Sequence, residues 1–294
     1  MDASSRLTER FEEHRSHLRA VAYRMLGSLS EAEDAVQETW LRLNRSDTSE
    51  VENLGGWLTT VVSRLCLNML RSRETRREES IDAYPTDPAA GREDGVDPEQ
   101  EAVLADSVGL ALLVVLDKLA PAERLAFVLH DMFSVPFEEI APMVEKTPAA
   151  TRQLASRARR RVKGAPLVPD ADLGRQRRVV DAFLAATRGG NLDALVTLLH
   201  PDVLLTADKA VIPSAAAIVV SGALPVATGA MAAMQRAQAT QTALVDGVVG
   251  LAMAPLGQLF LVLRFTVVDD LITAIDVVAE PEALHAIDIA VLDA

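Results

Sequence analysis

Residues 136–163 leave this chain little choice of local structure. Pro136 opens a short helical run (PFEEIAPMV), Glu145-Lys146 makes a turn, and Thr147-Pro148 supplies a capping hydroxyl followed by a proline at the first helical position. Pro142 keeps the first helix short or bends it, because proline lacks the backbone donor and its ring crowds the preceding turn. This is helix-turn-helix grammar. On the second helix Thr151, Leu154, Ala155, Ala158 and Val162 fall on one face at three- and four-residue spacing. Gln153, Ser156 and Arg160 then sit at the centre of the opposite face, with Arg152, Arg157, Arg159 and Lys163 beside them. Arginine can pair with the guanine edge, glutamine can read adenine and flanking cations hold phosphates, so the inventory suits a nucleic-acid groove. A basic surface helix in an ordinary bundle would carry the same pattern.

The charge distribution sharpens that reading. The chain has 294 residues and a formal charge of −13, yet six basic and no acidic residues lie between Arg152 and Lys163, and five arginines accompany Glu74 alone between Arg64 and Arg77. Two basic patches therefore stand in an acidic chain, where the total would hide them. Between them, residues 78–101 hold nine acidic side chains, three prolines and two glycines, too little apolar surface to offset ordering, so a flexible acidic linker is expected over 79–101. A second break is expected at Gly164 to Pro169. Before it the apolar residues recur at three and four, as helix after helix. Beyond residue 174, helical segments at 175–188, 191–200 and 226–239 are interleaved with strand-like runs at 202–207, 217–220, 258–268 and 271–279. The lone Cys66 excludes an internal disulfide and a cysteine-rich zinc site, which points to a reducing cytoplasm. The longest apolar run, Val108 to Leu116, is about half of a membrane span, and the polar, acidic N-terminus is unlike a signal peptide. No membrane association, cofactor or metal is expected.

Two further helices carry information. Ser30-Glu31-Ala32-Glu33 reads as a capping box that starts a helix, with Gly27 ending the one before. Ala32, Ala35, Val36, Thr39 and Leu43 form its buried stripe, which leaves Asp34, Gln37, Glu38 and Leu41 on the opposite face. Spacing alone makes that face an ordinary solvated surface, although Leu41 sits in its middle. The next helix has Leu54, Trp57, Leu58, Val61, Leu65 and Met69 as its expected core, and Arg64, Asn68, Arg71, Arg73, Arg76 and Arg77 project from its second half. Relief of the helix dipole accounts for one or two of these arginines and not for five.

Taken together, these residues resemble an extracytoplasmic-function (ECF) sigma factor, the RNA polymerase subunit that chooses promoters. The stretches Tyr23 to Gly27 and Glu33 to Arg42 resemble the family's most recognisable segment, 54–77 resembles the part of region 2 that binds the −10 element, and Arg157-Ala-Arg159 matches the RAR of region 4, which reads the −35 element. The resemblance implies that Asp34, Gln37, Glu38 and Leu41 bind the polymerase β′ clamp helices, which reverses the bland reading of that face. It implies −10 contacts by Arg64, Asn68, Arg71, Arg73, Arg76 and Arg77. It implies −35 contacts by Arg152, Gln153, Ser156, Arg157, Arg159, Arg160 and Lys163.

The segment Gly190 to Val203 resembles the opening of a SnoaL-like domain, a curved sheet closed by helices around a cone, though the glycine-rich Asp-to-Lys motif usual after its first strand is reduced to Ala207-Asp208-Lys209-Ala210. The expected architecture is thus multidomain. Two all-α domains, region 2 over 1–78 and helix-turn-helix region 4 over 102–164, precede an α+β SnoaL-like domain over 174–294. The resemblance implies core RNA polymerase (β′ clamp helices and β subunit) and promoter DNA as partners, no catalytic residues, and control in cis by contact between the SnoaL-like domain and the sigma regions. Two other readings are a free-standing helix-turn-helix regulator and a C-terminal cone that senses a small molecule or does acid-base chemistry through His200, Asp202, Asp208 or His285.

Overall fold

The computed structural model describes residues 3–46, 51–79, 109–211 and 217–292. They form two compact units: Met1–Val108 with Lys118–Arg159, and Gly109–Asp117 with Arg160–Ala294. The linker expected over 79–101 lies, after Glu79, outside the described residues.

The first unit is helical. Helices α1 (Ala3–Leu26), α2 (Leu29–Arg45) and α3 (Leu54–Glu79) pack on one another through Phe11, Leu18 and Val21 of α1, Ala32, Val36 and Leu43 of α2, and Leu58, Val62 and Cys66 of α3. The cap of α2 differs from expectation. Ser28 caps it, accepting from the Glu31 amide, while Ser30 Oγ lies 3.0 Å from Ser28 Oγ and Glu33 pairs with Arg15 and Arg19. The chain had two serines two residues apart, and Gly27 placed the earlier one at the turn.

The core row of α3 also differs. Leu54, Leu58, Val62, Cys66 and Leu70 are buried, whereas Trp57, Val61, Leu65 and Met69 are only half-buried. Apolar residues occur in pairs along this helix, so spacing could not decide between two adjacent rows. In the same unit α5 (Pro121–Phe127) widens into a π turn over Val128–Met132, and α6 (Phe137–Ile140) ends in a 3-10 turn over Ala141–Met143 that contains Pro142. After Glu145, at φ 56°, Thr147 Oγ1 accepts from the Ala150 amide and α7 (Pro148–Lys163) begins.

The second unit is a mixed sheet with helices. Its seven strands, β1 (Leu199–Ala207), β2 (Ile218–Ser221), β3 (Thr240–Val245), β4 (Val248–Met253), β5 (Leu261–Val268), β6 (Leu271–Val278) and β7 (Ile289–Ala290), lie in the order β2-β1-β6-β5-β4-β3-β7. Among the described residues only β1 and β6 pair in parallel. Neither β3 nor β4 was expected from the sequence. Their hairpin turns on Asp246-Gly247, both at positive φ, a sequence sign that the uniformly apolar flanks obscured.

Leu251, Leu263, Val277 and Ala207 are register neighbours across β4, β5, β6 and β1, so they share one sheet face. That face meets Val180, Phe183, Leu195 and Val226 from α8 (Asp170–Arg188), α9 (Leu192–Leu198) and α10 (Ala223–Ala232). Short helices α11 (Met234–Ala237) and α12 (Pro281–Ala286) complete the unit. So does α4 (Leu110–Asp117), which packs on β3, β7 and the turn Pro255–Gly257, with Gln241 Oε1 accepting from the Ala111 amide at 3.1 Å.

Candidate nucleic-acid and protein interface

The recognition-type helix α7 is held from below by Leu154, Ala155 and Ala158, all buried, with Thr151 Oγ1 donating to the Thr147 carbonyl. Gln153, Ser156 and Arg160 are exposed, as the helical wheel requires. Their neighbours are less free. Arg157 Nε donates to Glu123 Oε1 at 2.7 Å and Arg159 Nε to Asp131 Oδ1 at 2.6 Å, so the two RAR arginines tie α7 to α5 and to the π turn that follows it. Glu123 is only 9% exposed, which makes its pairing structural. Arg152 stacks its guanidinium 5.2 Å from the Phe137 ring centre and lies 3.9 Å from Glu138. Lys163, at the helix end, is exposed. The acids Glu123 and Asp131 were not anticipated, since pairings across 34 and 28 residues leave no local trace.

On α3, Arg64, Asn68 and Arg71 are exposed and share a face at four- and three-residue spacing. Arg76 is exposed too, with Nε donating to the Ser72 carbonyl one turn back. Arg73 is spent elsewhere. It is half-buried, donates to the Leu26 carbonyl at 3.1 Å and forms an ion pair with Glu31, which ties α3 to the end of α1 and the start of α2. The side chain of Arg77 lies outside the described residues.

The α2 face is presented as a patch of one aliphatic and three polar side chains. Asp34 and Gln37 are exposed, Leu41 is 39% exposed, and Glu38 Oε1 accepts from Arg42 Nε at 2.9 Å. A leucine exposed amid acids suits a protein partner better than DNA, whose phosphates would be repelled by Asp34 and Glu38. Burial lowers the Arg24 guanidinium pKa; burial and then the charge of His14 lower that of His17; and burial pushes the Cys66 thiol up to about 12.

The four candidates for acid-base chemistry do not converge. His200 and Asp202 stand at the start of β1, where His200 Nδ1 accepts from the Asp202 amide, and Asp208 follows the strand's far end. The Asp208 carboxylate accepts from the amides of Ala210, Ala279 and Glu280, and His285 Nδ1 lies 2.8 Å from the Pro281 carbonyl. The side chains of His200, Asp208 and His285 are each engaged with backbone groups rather than with one another. Among the described residues no group of three or more His, Cys, Asp or Glu is placed to hold a metal, and no helix is long and apolar enough to cross a membrane.

Comparison with known proteins finds two sigma regions in the chain. Residues 10–76 match the Sigma-70 region 2 family and residues 109–162 the Sigma-70, region 4 family. The ECF RNA polymerase sigma factor SigJ of Mycobacterium tuberculosis is 46% identical over 200 residues, which cover 68% of this chain and 64% of SigJ. The probable ECF RNA polymerase sigma factor SigI of the same species is 40% identical over 190 residues, covering 65% and 66%. These matches span just under two thirds of either relative. The crystal structure of the M. tuberculosis extracytoplasmic function sigma factor SigJ aligns at 34% identity over 95% of this chain and 98% of that one, with a TM-score of 0.44. Both sigma regions, together with 46% identity to a curated relative over 200 residues, place the chain in the family of ECF RNA polymerase sigma factors.

Proposed function

We propose that the chain binds core RNA polymerase and directs promoter-specific initiation of transcription in the cytoplasm. The observation that carries this reading is the pairing of two unlike faces on separate helices. Asp34, Gln37, Glu38 and Leu41 on α2 offer an acidic and apolar patch for a protein, and Gln153, Ser156 and Arg160 on α7 offer a base-reading set. In this reading region 2 (1–78) meets the β′ clamp helices and captures a −10 base with Arg64, Asn68 and Arg71, while region 4 (102–164) meets the β subunit and the −35 major groove. Arg73, Arg157 and Arg159 position the helices that do so, and Arg76, Arg77, Arg152 and Lys163 hold phosphates. Residues 174–294 form a SnoaL-like domain that regulates initiation in cis. With a charge of −13 the free chain repels DNA overall, so polymerase must supply most of the affinity.

The test is capture of purified core RNA polymerase by the full chain and by its Gln37→Ala and Glu38→Ala double variant, followed by run-off transcription. Capture and promoter-dependent transcripts by the parent, both lost in the double variant, are expected. Failure of the parent to bind core polymerase would leave a free-standing DNA-binding regulator.

A further inference from the structure

The sheet of the second unit splits between β4 and β5. Their ladder runs from Met253↔Leu261 to Gly250↔Arg264 and stops there, although both strands go on. Beyond that point β4 follows β3, through Val249↔Leu244 and Val248↔Val245, while β5 follows β6 as far as Val268↔Leu271. The cause lies in the turn between β3 and β4, which is bonded elsewhere. The Gly247 carbonyl accepts from the Leu167 amide at 2.8 Å, the Asp246 amide donates to the Asp288 carbonyl at 2.8 Å, and the Asp288 amide donates back to Asp246 Oδ1 at 2.9 Å. Gly247 allows that approach, since a Cβ there would lie 2.7 Å from the Ala165 carbonyl oxygen.

The parted strands leave a notch of about 440 Å³, lined by Val248 of β4, Phe265, Thr266 and Val267 of β5, and half-buried Gln176 of α8. Arg264 and Asp276, register partners on β5 and β6, flank it. The Arg264 guanidinium is held by ion pairs of 3.5 Å to Asp246 and 3.7 Å to Asp276, and its Nε is buried without a hydrogen-bond partner among the described residues. Both acids are engaged through their other oxygens, Asp276 Oδ1 accepting from Thr206 Oγ1 at 2.6 Å and Asp246 Oδ1 from the Asp288 amide. A buried donor with no acceptor costs free energy that a ligand's carbonyl would recover.

We propose that this notch binds a small uncharged amide. The parted strand edges carry backbone donors and acceptors at the spacing an extended amide matches, as a strand added to a sheet does. Val248, Phe265 and Val267 cover an apolar substituent, and Arg264 and Gln176 supply donors for the carbonyls. Charge decides against an anion. One guanidinium between two carboxylates leaves a net negative site, so a carboxylate of the same shape is repelled.

The probe is N-acetylvalinamide, compared with N-acetylvalinate, which carries a carboxylate in place of the terminal amide. Each is titrated into the isotope-labelled full chain and followed through backbone amide chemical shifts. Saturable shifts centred on Val248, Thr266 and Val267, with the carboxylate binding about tenfold more weakly, are the expected result. The absence of a saturable shift with the amide overturns the site, and equal or tighter binding of the carboxylate overturns the class of ligand. Arg264→Met keeps the aliphatic stem, removes the donors and should weaken amide binding about tenfold. It also leaves Asp246 and Asp276 without their cation, so Gln176→Ala, which breaks no ion pair, is the second variant, with an expected loss of about threefold. Unchanged affinity in both variants, each with the dispersed spectrum of a folded chain, overturns the proposal. None of these readouts involves polymerase, so the notch and the promoter-factor reading stand or fall separately.

Discussion

Arg157 and Arg160 are three residues apart on one helix, and the structure separates their roles. The Arg157 guanidinium is half-exposed and bonded to nearly buried Glu123, so its loss removes an ion pair that joins α7 to α5. Arg157→Ala is expected to destabilise the fold by about 1–2 kcal/mol, discounted for the exposed partner, and a urea melt would register it as a lowered midpoint. Arg160→Ala should leave the melt unchanged while weakening discrimination at the −35 element by about 1–3 kcal/mol, measurable in transcription from point-mutated promoters. Equal effects of the two substitutions on both assays would remove the distinction. Cys66 offers a check of burial at the same scale. Its thiol ionises near 12 in the fold against 9.0 unperturbed, so the unfolded chain gains thiolate first and stability should fall as pH rises from about 9 towards 12. Cys66→Ser should flatten that part of the pH profile. The exposed set on α7 was legible from the helical wheel because a short amphipathic helix has one buried stripe. Arg73 was not, since its acceptor is the carbonyl of Leu26, 47 residues away.

Elements were legible where the sequence alternates or caps itself, and obscure where it is apolar throughout. Thr147-Pro148 marks the start of α7 correctly because both residues act locally. Strands β3 and β4 were missed because TALV and VVGLAM read equally as buried helix, and only the Asp246-Gly247 turn distinguishes them. Inside β4, Gly250 is opposite Arg264, and a Cβ there would lie 2.6 Å from the Leu263 carbonyl oxygen and 2.8 Å from Val245 Cγ2. One of those contacts is backbone, which cannot turn away. Gly250→Ala should therefore cost about 1–3 kcal/mol and lower the thermal midpoint of the sheet unit. An unchanged midpoint would mean that β5 shifts freely, contrary to its ladders with both β4 and β6.

At the scale of the whole molecule, the order of helical regions followed by a sheet could be read from periodicity, but the boundary between units could not. Helix α4 precedes the helix-turn-helix in sequence and lies within the region 4 match, yet it is part of the sheet unit. The clue was its composition. The run from Val108 to Leu116 has no polar residue, and Leu110, Ala111, Leu113, Val114, Val115 and Leu116 are all buried, as expected of a helix enclosed on every side. Its partners are β3, β7 and the Pro255–Gly257 turn, where Gly257 brings its backbone near Leu113. A chain ended after Lys163 keeps α4 and deletes all of these. Each leucine or valine so uncovered forfeits about 1.5–3 kcal/mol of burial, a loss that one helix cannot absorb by local adjustment. The truncated chain is expected to bind an apolar dye and to self-associate in sedimentation velocity, whereas the full chain does neither. A change in its transcription activity would then mix removal of the sheet unit with damage to region 4. Gln241→Ala gives the cleaner comparison, because it removes only the side-chain acceptor of the Ala111 amide at the start of α4. If the truncated chain instead stays monomeric with no dye binding, α4 has found an alternative seat, and region 4 folds without the sheet.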